Sequence, residues 1–366
     1  MSKKKKHKKL PKGLPEKFLE RLSEMFGESV FRQIEKTFVT RPTTFRVNGI
    51  KASKDEIIKA LELNGFKTEA ILWYGDAFLL KNKTKRELTE LDIYKDGKIY
   101  IQSLASMIPP LILDPKPGER VLDLVAAPGS KTSQIAALMG RKGELVANDI
   151  NKVRFFRLQA NMESLGVCDT SSRAERSEVE GYREKRRDLS TKSFSTSIGK
   201  DFGRDDVEDE DDWKFTLRLE DGSALCLEYG EPYFDKILVD AICSSEARFQ
   251  EGNVKTYGYW SERKIKEVAY QQQKLLMGAW SVLKPGGTLV YSTCTFAPEE
   301  NESRVTKLLE RHEDAYLEDI DIPKIKKLPI LKEWRGREFS KEIQTCLRIF
   351  PTKDIEGFFV AKIRKK

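Results

Sequence analysis

Arg120-Val121-Leu122-Asp123-Leu124-Val125-Ala126-Ala127-Pro128-Gly129-Ser130-Lys131-Thr132 is the stretch on which the fold turns. Its apolar run, Val121, Leu122, Leu124 and Val125, predicts a short buried strand. Asp123 interrupts that run near its end, and Pro128, Gly129 and Ser130 force a turn before the next helix. In an α/β sheet a ligand sits beyond the carboxyl ends of the strands, near a helix N-terminus. A second acid, Asp149, follows after one helix and one further strand over 143–148. Such an acid is placed to accept hydrogen bonds from ribose hydroxyls. The pair predicts a nucleoside cofactor, NAD or S-adenosylmethionine, with a plain βα unit as the bland alternative.

Outward from this turn, strands and helices alternate. Helices are expected over 130–139 and 152–165, then strands over 215–219, ending at Asp221-Gly222, and 234–240, ending at Ala241-Ile242-Cys243-Ser244-Ser245. A long helix carries Ile265, Val268, Ala269, Leu275, Leu276, Ala279 and Val282. The turn Lys284-Pro285-Gly286-Gly287 leads into a strand over 288–291 that ends at Ser292-Thr293-Cys294-Thr295. A helix over 301–310 and strands over 346–350 and 358–363, an antiparallel pair at the sheet edge, close the chain. This is the pattern of an α/β, Rossmann-like sheet, mostly parallel, with helices on both faces. Residues 168–213 break the rhythm with Ser, Arg, Glu and Asp and little to bury, so a charged, partly disordered insertion is expected there.

The front section, 14–108, reads as a small α/β module. Helices are expected over 14–27, 31–38 and 54–65, with strands over 42–48, 71–73 and 77–80. Its Arg41, Arg46, Lys81, Lys83, Lys85 and Arg86 are read as surface residues that face a nucleic-acid backbone or water. A connecting segment over 100–113 includes a short helix broken by Pro109-Pro110, and the catalytic part spans 109–366.

Of 366 residues, 66 are Lys or Arg and 58 Asp or Glu, a formal charge of +8. Seven lysines fall in the first twelve residues, so a basic tail over 1–13 supplies nearly all of the excess, able to contact phosphates or simply to solubilise. No apolar run is long enough to span a bilayer, and the lysine run lacks the apolar core of a secretory signal. Five cysteines without a CxxC pair argue against a disulfide framework or zinc site and for a reducing, cytoplasmic compartment. With only His7 and His312, a metal cluster or a Ser/His/Asp triad is nearly excluded.

Cys243 and Cys294 stand in equivalent places, each just after an apolar strand, where such a fold puts its active-site loops. Free cysteine is more often buried packing. The strand-end position and the polar neighbours Asp240, Ser244, Ser292 and Thr293 favour reactive thiols converging beside the cofactor.

Three segments together resemble the Sun/Nop-type RNA cytosine-5 methyltransferases. They are Asp123 to Thr132, Asp240-Ala241-Ile242-Cys243-Ser244-Ser245-Glu246, and Tyr291-Ser292-Thr293-Cys294-Thr295-Phe296-Ala297-Pro298-Glu299-Glu300-Asn301-Glu302. The likeness extends over most of the chain, through Thr43 to Asn48, Tyr100 to Met107 and Ile355 to Ala361. It implies a class I methyltransferase sheet preceded by an RNA-binding module, and methyl transfer from S-adenosylmethionine to C5 of cytosine in ribosomal or transfer RNA by a monomer. The target base would be single-stranded or flipped out. By this similarity Cys294 is the nucleophile, Cys243 the thiol that releases product, Asp240 the group at cytosine N3, and Lys131 a pocket residue and the basic neighbour of the thiols. The cofactor site comprises Ala126, Ala127, Pro128, Gly129, Ser130 and Lys131, with Asp149 on the ribose, Arg154 supporting the loop, Asp221 on the adenine amino group and Asp240 alongside. RNA contact is implied for Arg46, Lys131, Pro298 and Asn301, the last two shaping the segment behind Cys294.

Three positions depart from the family pattern: Val125 in place of cysteine, Ser130 in place of glycine, and Ile242 in place of the proline before the second thiol. The last is expected to leave the Cys243 loop less preset in φ. A rival reading is an RNA-binding or ribosome-assembly protein with the fold but little catalysis. A DNA cytosine methyltransferase, which depends on the earlier cysteine, is another. A dehydrogenase explains neither thiol.

Overall fold

The computed structural model describes residues 13–168 and 212–366. The basic tail and the charged insertion expected at 168–213 lie outside the described residues except at their ends.

The chain opens with α1 (Glu16–Glu35), two helical segments joined across a kink, in keeping with the two helices expected here. It bends at Gly27, whose φ of 75° a glycine adopts without strain, and then continues. A four-stranded antiparallel sheet follows, built from β1 (Thr44–Val47), β2 (Thr68–Ala70), β3 (Ala77–Leu80) and β4 (Ile99–Ile101) in the order β2-β3-β1-β4. Against it packs α2 (Lys54–Leu63), capped by Ser53. The short α3 (Lys85–Glu90), with a capping box from Thr84 and Glu87, and α4 (Asp92–Lys95) complete this layer.

Then α5 (Leu104–Leu113) runs straight through Pro109 and Pro110, where a break was expected. The prolines remove two ladder donors, but nine of the ten residues are buried, and that burial offsets the loss.

The large sheet has nine strands among the described residues. They are β5 (Arg120–Asp123), β6 (Gly143–Asn148), β7 (Trp213–Arg218), β8 (Phe234–Asp240), β9 (Leu283–Thr293), β10 (Ala315–Glu318), β11 (Lys327–Leu328), β14 (Leu347–Ile349) and β15 (Phe358–Lys365), with a separate hairpin of β12 (Glu333–Trp334) and β13 (Arg337–Glu338). Its order is β11-β14-β15-β9-β8-β5-β6-β7, with β10 on β15. β7, β6, β5, β8 and β9 are parallel neighbours, and β15 joins β9 antiparallel. The closing strands do pair antiparallel, but β15 is interior rather than an edge strand. Its all-apolar start, Phe358 to Ala361, suits burial on both faces.

Helices α6 (Ser130–Leu138) and α7 (Lys152–Ser164) cover one face with α5. On the other lie α8 (Gly222–Tyr229), α9 (Glu262–Val282), α10 (Glu302–Leu309) and α1. Neighbouring Val121 and Leu122 therefore enter opposite cores. The apolar stripe of α1 reaches the loops after β8 and β9: the Phe18 ring lies 4.9 Å from that of Phe249, and Phe26 lies 6.3 Å from Phe296.

The order β6-β5-β8 reverses direction beside β5, which makes the crevice at the C-terminal ends of β5 and β8 the topological switch point. No helix among the described residues is long and apolar enough to cross a membrane.

Candidate active site

The turn after β5 is fixed from below. Thr132 Oγ1 donates to Asp123 Oδ2 at 2.7 Å, while Asp123 Oδ1 is buried without a partner. Burial pushes the Asp123 carboxyl up to about 7. Gly129 takes φ 100°, and a Cβ there would stand 2.5 Å from Met162 Cε and 2.9 Å from Leu158 Cδ1, so this position demands glycine twice over. Val125 is simply buried in the core, and Ser130 opens α6 with its carbonyl bonded to Arg46.

Asp149, 1% exposed, directly follows β6. It accepts from the Ala127 and Asn151 amides at 3.2 and 2.9 Å and pairs with Arg154 at 3.2 Å. Arg154 also donates to the Ala127 carbonyl, and Asn161 to that of Pro128, so the turn from Ala126 to Lys131 is held from both sides. Asp221 caps α8 through the Ser223 and Ala224 amides and stays exposed at the rim.

Asp240 ends β8. Its Oδ1 accepts from Ser292 and its Oδ2 from Lys131, each at 2.7 Å. Lys131 also donates to Ser106 at 2.7 Å, so its ammonium is spent on oxygen partners. Lys131 was expected to be the basic neighbour of the thiols. The cation that favours the Cys294 thiolate is instead Arg248.

Cys243 and Cys294, on separate loops, bring their sulfurs to 3.2 Å. Ser245 Oγ lies 3.7 Å from the first and 3.6 Å from the second. The hydrogen bond from Cys243 draws the Cys294 thiol below its usual value; burial opposes this, and the Arg248 guanidinium and Ser245 assist it. The same contact, then burial, drives Cys243 well above the ordinary range. Cys294 is buried, 9% exposed and part of an apolar cluster with α5 and β15, and its polar contacts are the Cys243 sulfur and the Ser245 hydroxyl.

The absence of proline at Ile242 does not loosen this loop. Gln272 Nε2 donates to the Ile242 carbonyl at 2.8 Å, the Ser244 amide donates to Glu300 Oε2 at 3.0 Å, and the Ser244 and Thr295 hydroxyls meet at 2.7 Å. Glu246 ties the two cysteine loops together. It accepts from Trp260 Nε1 at 2.8 Å, Thr295 Oγ1 at 2.9 Å and the Phe296 amide at 3.1 Å. Behind them, Arg348 and Glu302 form a buried bidentate pair at 2.6 and 2.5 Å, and Arg348 also reaches the Phe296 carbonyl.

The residues read as RNA contacts need correction. Arg46 is fully buried rather than a surface residue: it bonds Gln102, Ser133 and the Ser130 carbonyl, and so joins β1 to the start of α6 after β5. Asn301 is also fully buried, between Thr293 Oγ1 and the Thr295 carbonyl, and Pro298 is buried beside it. Both shape the segment after Cys294 from inside. Sequence reasoning missed Ser245, Glu246, Arg248, Glu300 and Arg348, whose partners here lie as far as 56 positions away.

Known proteins resemble this chain over most of its length. A family model described as 16S rRNA methyltransferase RsmB/F matches residues 110–186 and 213–364, and one described as the N-terminal domain of 16S rRNA methyltransferase RsmF matches 14–104. The tRNA (cytosine(49)-C(5))-methyltransferase of Pyrococcus abyssi is 36% identical over 357 residues, covering 97% of each chain. Ribosomal RNA small subunit methyltransferase F of Pectobacterium atrosepticum is 30% identical over 365 residues; they make up 97% of this chain but the match spans 63% of that protein. The crystal structure of a methyltransferase homolog protein from Pyrococcus horikoshii superposes with a TM-score of 0.74 at 31% identity, covering 96% of this chain and 95% of that one.

Proposed function

The chain belongs to the RsmB/F family of 16S rRNA methyltransferases, and from that premise we propose that it methylates C5 of a cytosine in RNA through a covalent bond between Cys294 and C6. The observation that carries this reading is the pair of sulfurs 3.2 Å apart at the C-terminal edge of the sheet, beside the Lys131–Asp240–Ser292 cluster.

The methyl donor is S-adenosylmethionine, which supplies an electrophilic methyl on a sulfonium centre. The residues present fit it. The turn from Ala126 to Lys131 and the exposed Asp221 frame the crevice, Asp149 has lone pairs left for ribose hydroxyls, and Asp123 keeps a buried acceptor oxygen free beneath the turn.

Cytosine C5 is a poor nucleophile. Addition of the Cys294 thiolate to C6 breaks the aromatic system and loads electron density on C5. Asp240, oriented by Lys131 and Ser292, meets the N3 edge and shares a proton with it as negative charge develops. Once C5 carries the methyl, Cys243 takes the C5 proton, the double bond re-forms and Cys294 leaves. Attack from below the ring requires an unstacked base. The substrate is ribosomal or transfer RNA, bound by a monomer in the cytoplasm.

The test is methyl transfer from labelled donor to RNA lacking 5-methylcytosine. Cys294→Ala is expected to abolish transfer, and Cys243→Ala to leave a denaturation-stable protein–RNA adduct. RNA binding without transfer by the parent protein would leave a binding or assembly role. Transfer that survives Cys294→Ala and depends on Cys243 alone would reverse the thiol roles.

A further inference from the structure

The thiol pair holds a proton that the chemistry must remove. At 3.2 Å the sulfurs share a hydrogen bond, which requires an S–H between them. When Cys294 attacks as the thiolate, that proton is on Cys243. In that state Cys243 cannot accept the proton from C5. One proton has to leave the pair between attack and release.

Ser245 is the hydroxyl in reach of both sulfurs, at 3.6 and 3.7 Å. Its backbone is left-handed, φ 57° and ψ 29°, a conformation that a glycine adopts with less strain than a serine. The Ser245 hydroxyl donates to the Cys243 carbonyl at 3.4 Å, and beyond it stands the Tyr259 phenol, 53% exposed and within electrostatic reach of Ser245 and both sulfurs. A chain of thiol, hydroxyl and phenol therefore runs from the buried pair to solvent. Lys131 offers no such route: it carries donors only, and Asp240 and Ser106 hold it.

We propose that Ser245 and Tyr259 are the proton exit of this active site, unloading Cys243 so that it can act as the base at C5. The proposal rests on Cys294 as nucleophile and Cys243 as release group. The Cys294 sulfur bonds to C6, and N3 gains a proton at the Asp240 edge. Cys243 S–H passes its proton to Ser245 Oγ, whose own proton moves to the Tyr259 oxygen and on to water. The Cys243 thiolate then takes the C5 proton. The electrons of that C–H bond re-form the C5–C6 double bond, the C6–S bond breaks, Cys294 departs as thiolate and N3 returns its proton. One proton reaches solvent per methyl transferred, which is the proton the overall reaction releases.

The experiment follows adduct formation and release of methylated RNA separately, in the full chain with RNA and S-adenosylmethionine. Ser245→Gly removes the hydroxyl while relieving the left-handed backbone, so the fold is spared; Tyr259→Phe removes the phenol alone. In Tyr259→Phe adduct formation is expected to stay within about threefold of the parent while release slows by about tenfold or more; in Ser245→Gly, which also loses the contact to Cys294, both steps slow, release the more. Imidazole added at constant pH should restore release in both variants and leave the parent unchanged, because a small base replaces the missing hydroxyl. Release at the parent rate in both variants, or slowed release that imidazole does not restore, overturns the proposal. Methyl transfer retained in Cys294→Ala would instead overturn the reading beneath it.

Discussion

Replacing Glu246 with alanine tests whether the two cysteine loops are held together by one buried carboxylate. Three donors, Trp260 Nε1, Thr295 Oγ1 and the Phe296 amide, converge on it at 2.8, 2.9 and 3.1 Å, and the residue is fully buried. A hydrogen bond to a charged group contributes about 1.5–3 kcal/mol, so three sum to roughly 4–9 kcal/mol before the cost of burying the carboxylate is set against them. Burial raises the Glu246 carboxyl pKa, a sign that this cost is real. The net loss expected for Glu246→Ala is about 3–5 kcal/mol, the range for breaking a buried charged network. Glu246→Gln keeps the shape but turns one acceptor into a donor, leaving one of the three N–H or O–H groups unpaired, at about 1–3 kcal/mol. Urea unfolding reads both values as a lowered midpoint at constant slope. Adduct formation should also fall by about a hundredfold if the sulfur-bearing loops part by roughly 1 Å. An alanine variant within about 1 kcal/mol of the parent, with adduct formation intact, would refute the idea that this carboxylate sets the thiol geometry.

Burial lifts Asp123 to about 7 and Glu300 to about 8. The folded chain therefore keeps protons that the unfolded chain sheds near pH 4. This contribution is complete below about pH 4 and is lost as pH rises to about 7–8, with a slope of up to about 1.4 kcal/mol per pH unit per group. Melting temperature should thus fall from pH 5.5 to 8 and flatten in Glu300→Gln; a rise over that range would contradict it. Arg348→Met leaves Glu302 buried without its partner and should cost about 3–5 kcal/mol in denaturant unfolding, most of it recovered by adding Glu302→Leu. Gly129→Ala combines a left-handed backbone with contacts at 2.5 and 2.9 Å to α7. It should cost roughly 2–4 kcal/mol and weaken donor binding measured by calorimetry.

The parallel half of the sheet was legible because its signals are local. Apolar runs bounded by turn residues marked β6 and β8 to the residue, and acids or cysteines at their ends marked the rim. What stayed hidden depends on distant partners. Arg46 looks like any exposed basic residue until Gln102 and Ser133 are folded around it. Glu246, Glu300 and Arg348 carry no periodic signature, since a charged residue reads as surface unless its counterpart is known. Pro109 and Pro110 spoke for a break, but the helix containing them is buried on nearly every side. The place of β15 inside the sheet could not be read either, because strand order is fixed by pairing over long separations.

The reach of α1 bears on how this chain can be divided. Phe18 and Phe26 of the first helix press on Phe249 and Phe296, one residue after the Glu246–Arg248 turn and two residues after Cys294. A shortened protein starting at residue 109 would retain every group assigned to the chemistry yet strip the lining from beneath both sulfur-bearing segments. Supplying residues 13–40 as a separate peptide is then the natural complement: recovery of function by that peptide, without the four-stranded sheet, would mark the opening helix as part of the catalytic wall rather than of the module that follows it in sequence.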